Sequence, residues 1–209
     1  MSISKFDCIF FDFDGVIKES VNVKADAFIE LFKSYGQDIC KKIYDHHMMN
    51  GGMSRFEKIE LYLTWLNESY DKSSVEEICN KFSDIVKEKV ISSAWVPGVE
   101  TFLRKNLYDQ TFILISATPQ KELEEICQSL NLTNVFSRII GWPAPKSDSI
   151  NEIMREFDIL PDGCLMVGDY NSDLNAAKKN EISFLFRRHQ FNNHIKIDDG
   201  VKIIRNFIF

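Results

Sequence analysis

The sequence of 209 residues has little of what several protein classes require. Its five cysteines are dispersed, odd in number and form no C-x-x-C motif, which favours reduced thiols over a disulfide framework or a zinc site. No apolar run approaches the roughly 18 residues that a membrane span needs. Basic side chains (25) are outnumbered by acidic ones (31), and the net charge of −6 argues against general binding to nucleic acid or anionic membranes.

The overall composition, with 44% hydrophobic and 27% charged residues, is typical of a globular protein. A chain of this length allows one substantial core, or one core with a modest insert. The first residues carry no signal-peptide pattern. We therefore expect a soluble, cytoplasmic protein, either a monomer or a weak homodimer.

Short apolar runs alternate with helical patterns in most of the chain. This alternation is typical of βαβ units and predicts a parallel sheet. Strands are predicted at 7–11, 111–116, 137–142, 164–169 and 182–186, and helices at 119–130, 147–157 and 171–180.

A second part of the chain is helical almost throughout, from about residue 25 to residue 93. Two of its helices begin with a Ser-x-x-Glu pattern typical of a capping box, at Ser54 and Glu57 and again at Ser74 and Glu77. No strand pattern interrupts this block.

The predicted fold class is α/β, a three-layer Rossmann-like core with a parallel sheet and an inserted α-helical cap domain. The core comprises residues 1–17 and 94–209, and the cap comprises residues 18–93. Because the insert follows the first strand directly, it should lie over the carboxyl ends of the strands. Ligands bind at that edge in open α/β folds.

Polar side chains follow the predicted strands at their carboxyl ends. The first strand runs into DFDG, where two carboxylates two residues apart require a cation or a shared proton. A parallel sheet would bring the other polar groups to the same edge. The set at the strand ends is Asp12, Asp14, Ser116 and Asp169. Lys146, at the start of a predicted helix, and Asp173, four residues after Asp169, complete it.

This series resembles the haloacid dehalogenase-like superfamily, whose members are mostly magnesium-dependent phosphatases. The pattern of that family is D-x-D-G, then Ser or Thr, then Lys, then G-D-x-x-x-D, and here it reads DFDG, S, K and GDYNSD in order. The helical insert is similar to the cap of its phosphoglycolate phosphatase and β-phosphoglucomutase-like group. The resemblance covers the whole chain.

The resemblance implies a catalytic role for both acids of DFDG. Asp12 would be the nucleophile that forms an aspartyl phosphate, and Asp14 would protonate the leaving oxygen and then activate water. The implied cofactor is Mg²⁺, held by Asp12, the backbone carbonyl of Asp14, and Asp169. Asp173 would be a further ligand or a supporting partner.

The resemblance also implies which groups bind the phosphoryl oxygens. These are Ser116 and Lys146, with the backbone amide of Ala117 as an additional donor.

In the cap, Arg55 and Lys24 are candidate substrate-binding residues. Arg55 lies in the first turn of a helix, where a cation is electrostatically unfavourable, and the run G-x-S-R resembles a phosphate-binding cap loop of the β-phosphoglucomutase-like group. His46 and His47 are interpreted as polar residues with internal partners. Lys58 is expected to form a surface ion pair.

The leading hypothesis is a Mg²⁺-dependent phosphatase acting on a small phosphorylated metabolite, with a sugar phosphate as the expected substrate. The alternative is a phosphomutase on the same scaffold. A dehalogenase is disfavoured because dehalogenases of the family lack the second acid, which is Asp14 here. A non-catalytic binding protein is disfavoured because every chemical residue is present.

Overall fold

The computed structural model describes residues 3–208, so residues 1, 2 and 209 of the predicted core range lie outside it. The helices are α1 (Val21–Phe32), α2 (Gln37–Met49), α3 (Arg55–Trp65), α4 (Lys72–Ser92), α5 (Val99–Lys105), α6 (Gln120–Ser129), α7 (Lys146–Glu156) and α8 (Asn171–Lys179). The strands are β1 (Cys8–Phe11), β2 (Thr111–Pro119), β3 (Arg138–Trp142), β4 (Cys164–Gly168), β5 (Ser183–Arg187) and β6 (Lys202–Ile204).

The six strands form one parallel sheet in the order β3-β2-β1-β4-β5-β6. The chain moves outward from β1 to β3, then returns to the other side of β1 and continues from β4 to β6. Strand order therefore reverses between β1 and β4, which is where ligands bind in folds of this type. The predicted α/β class is confirmed.

Both faces of the sheet are covered. Along β1, Ile9 and Phe11 belong to one hydrophobic cluster, and Cys8 and Phe10 belong to the other. All four side chains are fully buried. This alternation explains why β1 is apolar at every position, as a strand buried on both faces must be.

Helices α1–α4 fall between β1 and β2 in sequence and pack on one another, with α1 against α2 and α4, and α3 against α4. Phe28 of α1 and Phe82 of α4 lie 4.4 Å apart between ring centroids. Helix α4 also contacts α6. The division into a core and a cap at residues 18–93 stays a prediction. No helix within residues 3–208 is long and apolar enough to cross a membrane.

Two local predictions differ from the structure. The capping box at Ser54 is present, but the one at Ser74 is wrong, because α4 begins earlier and Asp71 caps it by accepting from the Ser74 N–H at 2.8 Å. Aspartate is as good an N-cap as serine, so the earlier residue defines the start. The second difference is that α5 and β6, both short, were not predicted.

Candidate active site

The reversal point of the sheet brings two aspartates together. Asp12 directly follows β1 and Asp169 directly follows β4, and the Asp12 N–H donates to the carbonyl of Val167 at 3.0 Å. Asp173 reaches the same place from the first turn of α8. Gly168 permits this approach, because a Cβ there would lie 2.2 Å from the Cβ of Asp173.

Carboxylate oxygens of Asp12, Asp169 and Asp173 all lie within 4.8 Å of one another, and all three residues are buried. Nζ of Lys146, at the start of α7, lies 2.7 Å from Oδ1 of Asp12 and 2.6 Å from Oδ1 of Asp173. Burial would lower the pKa of Lys146, but these two carboxylates raise it above its ordinary value. One lysine thus faces three acids.

The negative charge of the three aspartates that Lys146 does not offset fits a bound cation. Burial and the neighbouring aspartates raise the pKa of Asp12 and of Asp169 well above the ordinary value, although Lys146 opposes them. Within residues 3–208, Oδ1 of Asp169 is buried and has no hydrogen-bond partner. A buried carboxylate oxygen without a donor is energetically unfavourable unless it meets a cation, and all-oxygen ligand sets suit Mg²⁺.

His189 and Asn192 hold Asp169 in place. His189 Nε2 lies 2.8 Å from Oδ2 of Asp169, and its Nδ1 accepts from the Phe191 N–H at 3.2 Å, so Nε2 carries the proton. Burial, followed by the charge of Arg187, lowers the pKa of His189 to about 4, so the ring is neutral. The side-chain amide of Asn192 donates to the Asp169 carbonyl at 2.9 Å.

Sequence reasoning missed His189 and Asn192. A signal existed, because both follow the last predicted strand at its carboxyl end, as the other site residues follow theirs. The polar run RRHQFNN after ISFLF has the same form as the run after the fourth strand.

The carboxylate of Asp14 points away from the aspartate cluster toward α1. It accepts from the hydroxyl of Ser20 at 2.6 Å and from the ammonium group of Lys24. Burial would raise the pKa of Asp14, but Lys24 and Ser20 lower it below the ordinary value. Nζ of Lys24 also donates to Oγ1 of Thr118 at 2.8 Å, a residue that the sequence did not single out.

The end of β2 supplies hydroxyl and amide groups. Ser116 is 2% exposed, and its Oγ donates to Oγ1 of Thr118 and accepts from the Thr118 N–H, both at 3.2 Å. Ser116 and Ala117 border the same cavity as Lys146. The phosphate-binding groups expected from the sequence therefore lie together.

Arg55 reaches the cavity from α3, but its guanidinium is already occupied. It donates to both oxygens of Glu122 on α6, at 2.7 and 2.5 Å, and to Oγ of Ser83 at 2.6 Å. Burial would raise the pKa of Glu122, but Arg55 lowers it below the ordinary value. The expected surface position of Lys58 is wrong: this residue is 2% exposed and borders the cavity.

The carboxyl ends of the strands and the helical insert thus border the same cavity. Eight of the nine predicted site residues border it, and the ninth, Asp173, lies behind Lys146. The eight are Asp12, Asp14, Lys24, Arg55, Ser116, Ala117, Lys146 and Asp169.

Comparison with known proteins agrees with this geometry. A sequence profile of the haloacid dehalogenase-like hydrolases matches residues 9–186. The chain therefore belongs to that family, as the resemblance predicted.

Among curated relatives, the phosphorylated carbohydrates phosphatase of Thermotoga maritima is 23% identical over 193 residues, covering 86% of this chain and 84% of the relative. The phosphoglycolate phosphatase of Pseudomonas putida is 24% identical over 198 residues, covering 91% of this chain and 72% of the relative.

Solved structures share the fold. CbbY from Rhodobacter sphaeroides, in complex with xylulose-1,5-bisphosphate, superimposes with a TM-score of 0.79 at 16% identity, covering 97% of this chain and 95% of that one. The β-phosphoglucomutase of Clostridium difficile gives 0.75 at 16% identity, covering 97% and 92%.

Proposed function

We propose that this protein is a Mg²⁺-dependent phosphatase that hydrolyses a small phosphorylated metabolite through an aspartyl phosphate on Asp12. The observation that carries the proposal is the buried cluster of Asp12, Asp169 and Asp173 beside Lys146. The names of the two curated relatives support a phosphorylated carbohydrate or phosphoglycolate as the kind of substrate.

The cation would be held by Asp12 and Asp169, with the backbone carbonyl of Asp14 as a further ligand. When bound, Mg²⁺ neutralises charge on the phosphoryl oxygens as the transition state forms. Asp173 acts as the supporting partner, since its Oδ2 accepts from the N–H groups of Asp169 and Tyr170, both at 3.1 Å, and its Oδ1 accepts from Lys146.

In the first step, a carboxylate oxygen of Asp12 attacks phosphorus and the bond to the leaving oxygen breaks. Asp14 donates a proton to that oxygen, so the product leaves as an alcohol. Because Lys24 and Ser20 lower the pKa of Asp14, its carboxyl group is ionised in the free protein. The negative charge of a bound phosphoryl group would raise this pKa, so that Asp14 takes up the proton that it donates. Ser116, Lys146 and the Ala117 amide hold the phosphoryl oxygens.

In the second step, Asp14 accepts a proton from water and the water oxygen attacks phosphorus. The bond to Asp12 breaks, which regenerates its carboxylate and releases inorganic phosphate. Residues 18–93 act as a cap that closes over the site and excludes bulk water. Support for this cap comes from the hydrogen bond between the Tyr170 hydroxyl and the Met48 carbonyl, at 3.1 Å, which joins the residue before α8 to α2.

The test is hydrolysis of p-nitrophenyl phosphate by the purified protein with Mg²⁺. Asp12→Asn should lower kcat by a factor of at least about 10³, and EDTA should abolish turnover. The control is Asp7→Asn, at the exposed opposite end of β1, which should retain activity. Turnover that survives Asp12→Asn or EDTA would overturn the proposal. Isomerisation of a sugar phosphate without release of phosphate would establish a mutase instead.

A further inference from the structure

Four cationic side chains border the cavity, and three of them are neutralised by carboxylates. Lys24 pairs with Asp14, Arg55 with Glu122, and Lys146 with Asp12 and Asp173. The fourth is Lys58 of α3. Among residues 3–208, no carboxylate lies within ion-pair distance of its Nζ, whose one hydrogen-bond partner is Nδ1 of His47 at 3.1 Å.

The surroundings of Lys58 are unfavourable for an unpaired ammonium group. The residue is 2% exposed, and its Nζ lies 5.8 Å from the centre of the Phe28 ring. Burial, followed by the charge of Lys24, lowers the pKa of Lys58 to about 7, and these effects outweigh Asp14 and Glu57, which act in the opposite direction. A buried cation of this kind is stabilised when an anion is brought to it.

His47 positions the amine. Burial, followed by the charge of Lys58, lowers the pKa of His47 well below the ordinary value, so its ring is neutral. The Nδ1 atom that faces Lys58 therefore accepts a hydrogen bond from it. The remaining donors of Lys58 are left for a ligand in the cavity.

Arg55 is poorly suited to the same task. Three of its hydrogen bonds go to Glu122 and Ser83, and the charge of Glu122 offsets its own. Arg55 joins α3 to α6, while Lys58, one turn further along α3, is the cation that lacks a counter-charge.

Resting on the phosphatase function proposed above, we propose that Lys58, positioned by His47, binds a second anionic group of the substrate. The substrate class is then phosphate monoesters that carry a further carboxylate or phosphate. The scissile phosphoryl group lies at Asp12 and Ser116, and the second anion lies toward α3. Either a carboxylate or a phosphate can supply the second charge, because both accept hydrogen bonds from a buried ammonium group.

Two matched substrate pairs test this inference and distinguish the sources. One pair is phosphoglycolate and hydroxyethyl phosphate, which differ by a carboxylate. The other is xylulose bisphosphate and xylulose monophosphate, which differ by a phosphate. We expect wild-type kcat/KM to favour the charged member of at least one pair, and Lys58→Met to reduce that preference by roughly 10- to 100-fold.

Methionine keeps the apolar stem of lysine, so the variant should fold, and its unfolding temperature checks this. Lys41→Met, at an exposed position of α2, is the matched control and should keep the wild-type preference. The pair that responds to Lys58→Met identifies carboxylate or phosphate as the natural group. Equal preference in the wild type and Lys58→Met for both pairs would overturn the inference, although hydrolysis of p-nitrophenyl phosphate would still support the phosphatase. Absence of that hydrolysis in the wild type would overturn both proposals.

Discussion

The guanidinium of Arg55 meets the carboxylate of Glu122 end-on, with its two Nη atoms 2.7 and 2.5 Å from the two oxygens. Their side chains are 4% and 6% exposed. A bidentate pair of this geometry fixes the relative orientation of the two side chains as well as the distance between them. It ties the first turn of α3 to the first turn of α6, and so links the helical insert to the sheet.

Breaking this pair should destabilise the fold. Glu122→Gln leaves a buried guanidinium without a counter-charge, and we expect the free energy of unfolding to fall by about 3–5 kcal/mol. Urea denaturation at neutral pH measures the change. The matched control is Glu125→Gln on the same helix, whose partner Lys87 also comes from the helical insert. That pair is about 40% exposed, so the loss should be at most about 1 kcal/mol. Equal losses of unfolding free energy in Glu122→Gln and Glu125→Gln would contradict a stabilising role for the buried Arg55–Glu122 pair.

The contribution of Glu122 should also disappear in acid. Its pKa is lowered in the folded state from an ordinary value of 4.5, because Arg55 outweighs the effect of burial. A lowered pKa means that the stabilisation is complete above pH 4.5 and is lost as the pH falls through the folded-state value. The difference in unfolding free energy between wild type and Glu122→Gln should therefore shrink on acidification. A difference that stays constant as the pH falls would contradict this account.

The sheet and its chemistry were predictable because they depend on local patterns. Asp12 and Asp169 end apolar runs, and a parallel sheet brings the ends of such runs to one edge. Ser116 followed from the same reasoning, whereas Lys146, at the start of a helix, followed from the family resemblance. The order of the motifs predicted the family, and the family profile confirmed it.

The charge pairing across the cavity was not predictable. Arg55 and Glu122 are 67 residues apart, and neither lies in a pattern that points to the other. Lys58 was expected to form a surface ion pair, yet it is buried in α3 together with Arg55 and Ile59. Burial of a lysine depends on how helices pack, which a single sequence does not specify.

Lys58 should make stability rise with pH in the alkaline range. Its pKa is about 7 in the folded state, against an ordinary 10.5. Between these values the unfolded chain binds more protons than the folded one, so unfolding becomes less favourable as the pH increases. From about pH 7 to about pH 10, the wild type should gain up to about 4 kcal/mol relative to Lys58→Met. Denaturant titrations at several pH values measure this gain, and parallel curves for the two proteins would contradict it.

Magnesium should stabilise the protein through Asp169. A ligand that binds only the folded state at 100 times its Kd adds about 2.7 kcal/mol to the free energy of unfolding. We expect Mg²⁺ to raise the unfolding temperature of the wild type, and Asp169→Asn to lose most of this shift. The control is Asp148→Asn, an exposed acid of α7 paired with Lys179, which should respond like the wild type. An undiminished shift in Asp169→Asn would place the cation elsewhere.

Close contact between the loop after α2 and the start of α8 should be required for catalysis. A Cβ at Gly51 would lie 2.2 Å from ring atoms of Tyr170, a buried residue whose hydroxyl also bonds the Met48 carbonyl. Gly51→Ala should therefore displace this loop from the cavity that both residues border. We expect kcat/KM to fall by roughly 10- to 100-fold, since small displacements of positioning groups have effects of that size.

Testing Gly51→Ala in a Tyr170→Leu variant separates this clash from other effects of the added methyl group. In Tyr170→Leu the aromatic ring is absent, so adding Gly51→Ala should lower kcat/KM much less than it does in the wild type. The four proteins form a double-mutant cycle, and the coupling between the two positions is the measured quantity. Equal losses in both backgrounds would mean that the methyl group acts on the loop itself. A smaller loss without the ring would show that glycine is required here because the loop must lie against Tyr170.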